Sequence, residues 1–148
     1  MRRNHIILVV IVVCIIIAVP VVFYLTQSHS PTYDESLIST VEEGYSQESI
    51  ILQVKNYTND SKDYFKSLLD LENSTLRYRV STGEITQEYA DNELKNATAE
   101  YRNEIAILHQ IEAFRIGYVE GLITKDEFLK DIALIKLEHP EMKKYLEM

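Results

Sequence analysis

Hydrophobic positions follow two different patterns along this chain. From Ile6 to Thr26 they run almost unbroken: the 21 residues IILVVIVVCIIIAVPVVFYLT carry no charge. At 1.5 Å rise per residue such a run spans about 30 Å, the thickness of a bilayer's hydrocarbon core. Lipid offers the backbone no other partner, so the segment is expected to be helical despite its Val and Ile. Pro20 near its outer end predicts a kink, and Phe23 and Tyr24 fall where an interfacial aromatic belt belongs. Residues 27–33 are polar, contain Pro31 and read as a linker.

Beyond the linker, apolar residues recur near the 3.6-residue period. Leu37, Val41, Tyr45, Ile51 and Leu52 predict a first helix from Asp34 to Lys55, weakened in the middle by Gly44. The polar stretch Tyr57–Ser61 is read as a break, with Ser61 as N-cap of a second helix over 62–80. Phe65, Leu68, Leu69, Leu76 and Val80 share a face of that helix, with Glu72 as the exception. A third helix is expected to begin after Thr86 and continue to Glu120, striped by Leu94, Ala97, Tyr101, Ile105, Leu108, Ile111 and Tyr118, with Gly117 as an interruption. A fourth follows Thr124, where Thr124-Lys125-Asp126-Glu127 fits the capping box, and buries Phe128, Leu129, Ile132 and Ile135. Pro140 then opens a last short helix through Met142, Tyr145 and Leu146.

The expected fold is all-α. An N-terminal transmembrane signal-anchor helix (6–26) follows a five-residue tail (1–5). After the linker (27–33), an antiparallel three- to four-helix bundle of αα-hairpins, coiled-coil-like in its packing, fills 34–148. Two of its turns echo each other. Gly83-Glu84-Ile85-Thr86 and Gly121-Leu122-Ile123-Thr124 both read G-x-I-T, 38 residues apart. In each, Gly leaves a helix, Ile turns toward the core and Thr caps the next helix. Gly121, Ile123, Thr124, Glu127 and Phe128 also give the stretch 109–137 a turn that resembles that of the short helical hairpins called SHOCT domains. That resemblance implies a helical interaction module.

Charge orients the chain. Arg2 and Arg3 precede the apolar run and the next basic residue is Lys55, which predicts a cytoplasmic N-terminus and an outer C-terminal domain. The competing expectation is a secreted helical protein after signal cleavage, but the run is longer than the usual ~7–15 residues and no A-x-A site follows. After residue 30 the chain carries thirteen Lys and Arg against 23 Asp and Glu, a net −10. An acidic domain without a basic stretch repels phosphate, so no nucleic-acid partner is expected. The single cysteine, Cys14, lies within the apolar run, so the outer domain has no internal disulfide. Val12 and Val13 before it do not suit a lipoprotein site.

No residue pattern points to a catalytic, cofactor or metal site. The four histidines, His5, His29, His109 and His139, lack Glu-x-x-His spacing, and no H-E-x-x-H, C-x-x-C, P-loop or nucleophile-elbow motif occurs. Glu100 and Glu104, one turn apart, are read as a solvated face, although a buried cluster of Glu72, Glu100, Glu104 and His109 would favour chemistry. Asn56, Asn59, Asn73 and Asn96 each open an N-x-[S/T] triplet and are candidate N-glycosylation acceptors. Tyrosines spread along the helices suit core edges or a binding face. The expected role is a non-enzymatic protein-interaction or structural module, meeting a protein partner or another copy through helix faces. A ligand-sensing or accessory subunit of a membrane complex is the alternative, and it predicts a pocket lined by tyrosine and Glu72.

Overall fold

The computed structural model describes residues 31–142 and Leu146. The tail, the apolar run 6–26 and the linker up to residue 30 lie outside the described residues, and the transmembrane expectation falls on them. Among the described residues there is no strand, and no helix is long and apolar enough to cross a membrane. Helices α1 (Tyr33–Glu42), α2 (Gln47–Ser81), α3 (Gln87–Val119) and α4 (Lys125–Glu138) follow in order, then a 3₁₀ turn, Pro140–Met142. Leu146 beyond that turn is buried.

Thr32 starts α1 with a capping box. Its hydroxyl accepts the Glu35 amide at 3.3 Å and the Glu35 carboxylate accepts the Thr32 amide at 2.8 Å. The helix expected over 34–55 is divided. Gly44 takes φ +80°, and the Gly44 and Tyr45 amides turn back onto the Val41 and Thr40 carbonyls at 3.1 and 3.4 Å, closing α1. The break expected at Tyr57–Ser61 does not exist, because α2 runs through it for 35 residues, about 52 Å. Thr58 donates its hydroxyl to the Val54 carbonyl at 3.0 Å, and Ser61 does the same to Tyr57 at 2.8 Å. Hydroxyls bonded one turn back are satisfied inside a helix, so these polar residues neither cap nor break it. Both are buried, small side chains on the packed face of α2.

The G-x-I-T turns match bond for bond. In the first, the Thr82, Gly83, Glu84 and Ile85 amides donate to the Tyr78, Val80, Arg79 and Arg79 carbonyls. In the second, Glu120, Gly121, Leu122 and Ile123 donate to Ile116, Tyr118, Gly117 and Gly117. Thr86 and Thr124 then accept the Tyr89 and Glu127 amides, and only Thr124 completes a capping box. Ile123 packs against the core and Ile85 is half-buried.

Gly117 does not interrupt α3. A Cβ there would meet Ile123 Cγ1 at 3.8 Å, ordinary contact, whereas Gly121 holds φ +72° with open space around a Cβ. Gly117→Ala is therefore expected to stabilise the domain by about 0.5–1 kcal/mol through reduced backbone freedom. Gly121→Ala should cost about 1–2 kcal/mol because an L side chain resists the left-handed region. Thermal unfolding of the two variants should shift in opposite directions.

α2 and α3 form one antiparallel hairpin, with a base near Gln47 and Val119 and a tip near Gly83. α1 lies along the lower part: Tyr33 stacks on Tyr57 and Glu42 pairs with Lys125 at 2.7 Å; at the start of α2 the Gln47 side-chain amide donates to the Val119 carbonyl at 3.0 Å. α4 climbs back from the base. The core joins all four: Leu37 and Ile38; Ile50, Val54 and Phe65; Ile107, Leu108, Ile111, Tyr118 and Val119; Phe128, Ile132 and Ile135; closed by Met142 and Leu146. Near the tip, Leu76 and Ala90 are buried outside this cluster. Among the described residues, the hairpin stands there as two helices alone.

Candidate functional site: a buried ion pair and an open acidic groove

The stripe that buries Ile111 and Tyr118 of α3 passes through position 115, where the residue is Arg. Arg115 is 1% exposed, and its partner Asp34, in the first turn of α1, is 4% exposed. Arg115 Nε donates to Asp34 Oδ1 at 2.8 Å. Tyr33 and Tyr57 stack with ring centroids 3.9 Å apart, and the guanidinium carbon lies 4.5 Å from the first centroid and 5.0 Å from the second. Such contacts between a cation and ring faces strengthen when desolvated. Burial raises both tyrosine hydroxyls, and the Arg115 charge opposes the rise. Asp34 Oδ2 and Arg115 Nη2 are buried without a hydrogen-bond partner among the described residues.

An arginine stays charged and does not exchange protons near neutrality, so this pair is a clamp and not an acid–base couple. It joins residues 81 apart in the chain and holds α1 to the hairpin. Asp34 also faces the positive end of its own helix dipole. Sequence reasoning missed the pair. The available signal was a charged residue in phase with the α3 stripe, four residues after Ile111 and three before Tyr118.

Above the packed core, α2 and α3 line a groove of about 340 Å³. Phe65, Leu68, Leu69, Ala97 and Tyr101 supply its apolar surface, and Glu72, Glu93, Glu100 and Glu104 its carboxylates. Glu72 and Glu100 are exposed, while Glu93 and Glu104 are half-buried. Among the described residues none of the four is in an ion pair. The structure thus brings Glu72, Glu100 and Glu104 together along an open surface, and leaves His109 elsewhere, exposed and 3.6 Å from Glu112. No three of the described His, Cys, Asp or Glu residues converge as metal ligands. The carboxylates are spread along a track instead of focused on a point.

Burial first, then the Glu100 and Glu141 carboxylates, hold Glu104 above the ordinary carboxyl range. The fold therefore favours its protonated form. Its contribution is fully present below the ordinary carboxyl pKa and is lost as pH rises through the raised value. Glu104→Gln should modestly stabilise the domain at pH 7, with the difference vanishing near about pH 4. Urea denaturation across that range would show the convergence.

All four sequons sit on helices. Asn56, Asn59 and Asn96 are exposed, and Asn96 borders the acidic groove. Asn73 is half-buried in a second groove with Leu76, Val80, Ala90 and Leu94. The tyrosines divide. Tyr118 is buried against Phe128, with ring centroids 5.1 Å apart, and Tyr33, Tyr57 and Tyr101 are half-buried. Tyr45, Tyr64, Tyr78 and Tyr89 are exposed.

No protein-family model, curated protein or solved structure matches this chain, so the SHOCT resemblance of residues 109–137 rests on the turn from Gly121 to Phe128 alone.

Proposed function

We propose that the chain is a single-pass membrane protein, anchored through residues 6–26 with its N-terminus in the cytoplasm, whose acidic helical domain works outside as a non-enzymatic protein-interaction module. The observation that carries this reading is the upper half of the α2/α3 hairpin, which no other described helix covers. Leu68, Leu71 and Tyr78 recur at heptad-like spacing on α2 and are 43–65% exposed, and Tyr89 on α3 is 49% exposed. Apolar side chains aligned along an elongated two-helix arm suit contact with another protein. The Asp34–Arg115 clamp anchors the lower bundle and leaves the arm free to engage.

The test is protease protection on sealed cells carrying a C-terminal tag, combined with a photo-crosslinking residue at Leu71 in the full chain. The reading expects digestion from outside only, a full-length chain retained in the membrane, and a discrete protein adduct at Leu71. A protected tag overturns the topology. Release of a shortened chain identifies a secreted protein. Absence of any protein adduct overturns the interaction role.

A ligand-sensing or accessory subunit is the second reading, favoured by one observation: Glu72 and Tyr101 line the same groove. That reading expects saturable protection of the domain by a small cationic ligand, read as a rise in unfolding temperature.

A further inference from the structure

We infer that the groove between α2 and α3 at the middle of the hairpin is the seat of a basic amphipathic helix from another polypeptide. The inference rests on the interaction-module reading and names the partner's chemistry. Three independent observations lead to it.

The first is continuity with a helix track already filled. α4 lays Phe128, Ile132 and Ile135 against the core that Ile107, Leu108 and Ile111 build on α3. Met142 and Leu146 extend that packing past the end of α4, and the Glu141 carboxylate is close enough to act on Glu104. The groove begins there. Phe65 belongs to the core and Tyr101 packs against it, and both also line the groove. The track that α4 follows therefore runs on up the hairpin with nothing from the described residues laid over it.

The second is the shape and chemistry of the floor. Phe65, Leu68, Leu69, Ala97 and Tyr101 present apolar surface around a half-buried alanine. Along α3 the lining runs from Glu93 to Glu104, about 16 Å of helix, which matches roughly three turns of a bound helix. Helices pack against such a surface through i, i+3, i+4 and i+7 anchors.

The third is charge. Among the described residues, all the titratable lining groups apart from Tyr101 are carboxylates, and no cation lines the groove. They do not converge on a metal ion, so a point charge cannot satisfy them together. A helix with apolar anchors and lysines flanking them places several cations along the same length. Docking would also relieve the repulsion that Glu100 and Glu141 exert on Glu104. The net −10 of the region after residue 30 steers such a partner inward and repels an acidic one.

The experiment uses the full chain in nanodiscs of zwitterionic phosphatidylcholine, with empty discs as the blank. The probe is a fluorescent Leu/Lys amphipathic helix of about 18 residues, read by anisotropy. Its controls are a Leu/Glu helix of the same pattern and a scrambled Leu/Lys peptide of the same composition. Saturable binding of the Leu/Lys helix is expected, at least about tenfold weaker for both controls, and weakened again between about 0.05 and 0.5 M salt. Ala97→Trp, which fills the floor, and the triple variant Glu72→Lys, Glu93→Lys, Glu100→Lys should each weaken it by at least about tenfold, with helicity by circular dichroism unchanged. Leu122→Ser, at the α3–α4 turn away from both the groove and the arm, should leave it unchanged. Absence of saturable binding overturns the inference. So does equal binding of the scrambled peptide, or indifference to both groove variants while the fold is intact. A photo-crosslinking residue at Ala97 that joins two copies of the chain also overturns it, because the occupant is then the protein itself. If Leu71 crosslinks to a protein while the groove probes fail, the interaction module stands and the groove inference falls; if Leu71 also fails, both fall.

Discussion

Replacing Arg115 with alanine is expected to remove about 3–5 kcal/mol of folding stability, because it strands the Asp34 carboxylate in a site where it is 4% exposed. The cost comes from the partner left behind more than from the attraction lost. Two charges that pair in a low-dielectric interior have both given up their water, and their attraction returns only part of that loss. With the guanidinium gone, Asp34 keeps the desolvation and loses the compensation. Asp34→Ala should cost a comparable amount by stranding Arg115. The double variant Asp34→Leu, Arg115→Met should recover most of the loss, since apolar groups of similar volume often replace a buried pair at little cost. Chemical denaturation followed by circular dichroism compares the native protein with the two single variants and the apolar double variant. A loss below about 1 kcal/mol for either single variant would show that water reaches the pair and that the clamp does not hold α1. Against a total stability of about 5–15 kcal/mol for a domain this size, either single variant should also lose α1 first.

The second large effect is expected at Lys62→Pro, at about 3 kcal/mol or more. This substitution separates two accounts of the same residues. If Ser61 capped a helix, position 62 would be its first residue, the place where proline is welcome. In the continuous α2, a proline at 62 deletes a backbone donor and pushes its ring against the Thr58 carbonyl. The interior of a 35-residue helix has no slack for that at the level of the core. Thermal unfolding distinguishes the outcomes directly, and a proline tolerated without loss would mean that α2 is broken at that point in solution.

Legibility in the sequence followed the physics of each signal. The α2–α3 and α3–α4 turns were readable because glycine, isoleucine and threonine each have a specific local task there, and short-range chemistry decides the outcome. The α1–α2 turn is half legible: Gly44 marks it, but the apolar periodicity continues across it from Val41 to Leu52. The false break at 57–61 came from treating Thr58 and Ser61 as competitors of the helix. Their hydroxyls instead bond one turn back, as those of Thr40 and Ser74 do where the bond is exposed, so a Thr or Ser in such a stretch is compatible with an unbroken helix. The acidic groove was partly visible, since Glu72 disturbed an apolar face and Glu100 and Glu104 stood one turn apart. What gathers them is the pairing of α2 with α3, a tertiary fact. The ion pair was the largest omission. Arg115 was in phase with the stripe, but Asp34 looked like an ordinary first-turn acid, and nothing local links two residues 81 apart.

The path of the chain through the lower bundle has a mechanical consequence. It enters the fold where Tyr33 meets Tyr57, and the last described turn carries Glu141, whose charge acts on Glu104. Tension applied across those two points peels α1 and α4 before it reaches the hairpin, and then unzips α2 from α3 starting at Gln47 and Val119. The tip around Gly83 is the last place to feel it. A partner gripping the arm near Tyr78 and Tyr89 would therefore keep its hold while the base of the molecule is strained.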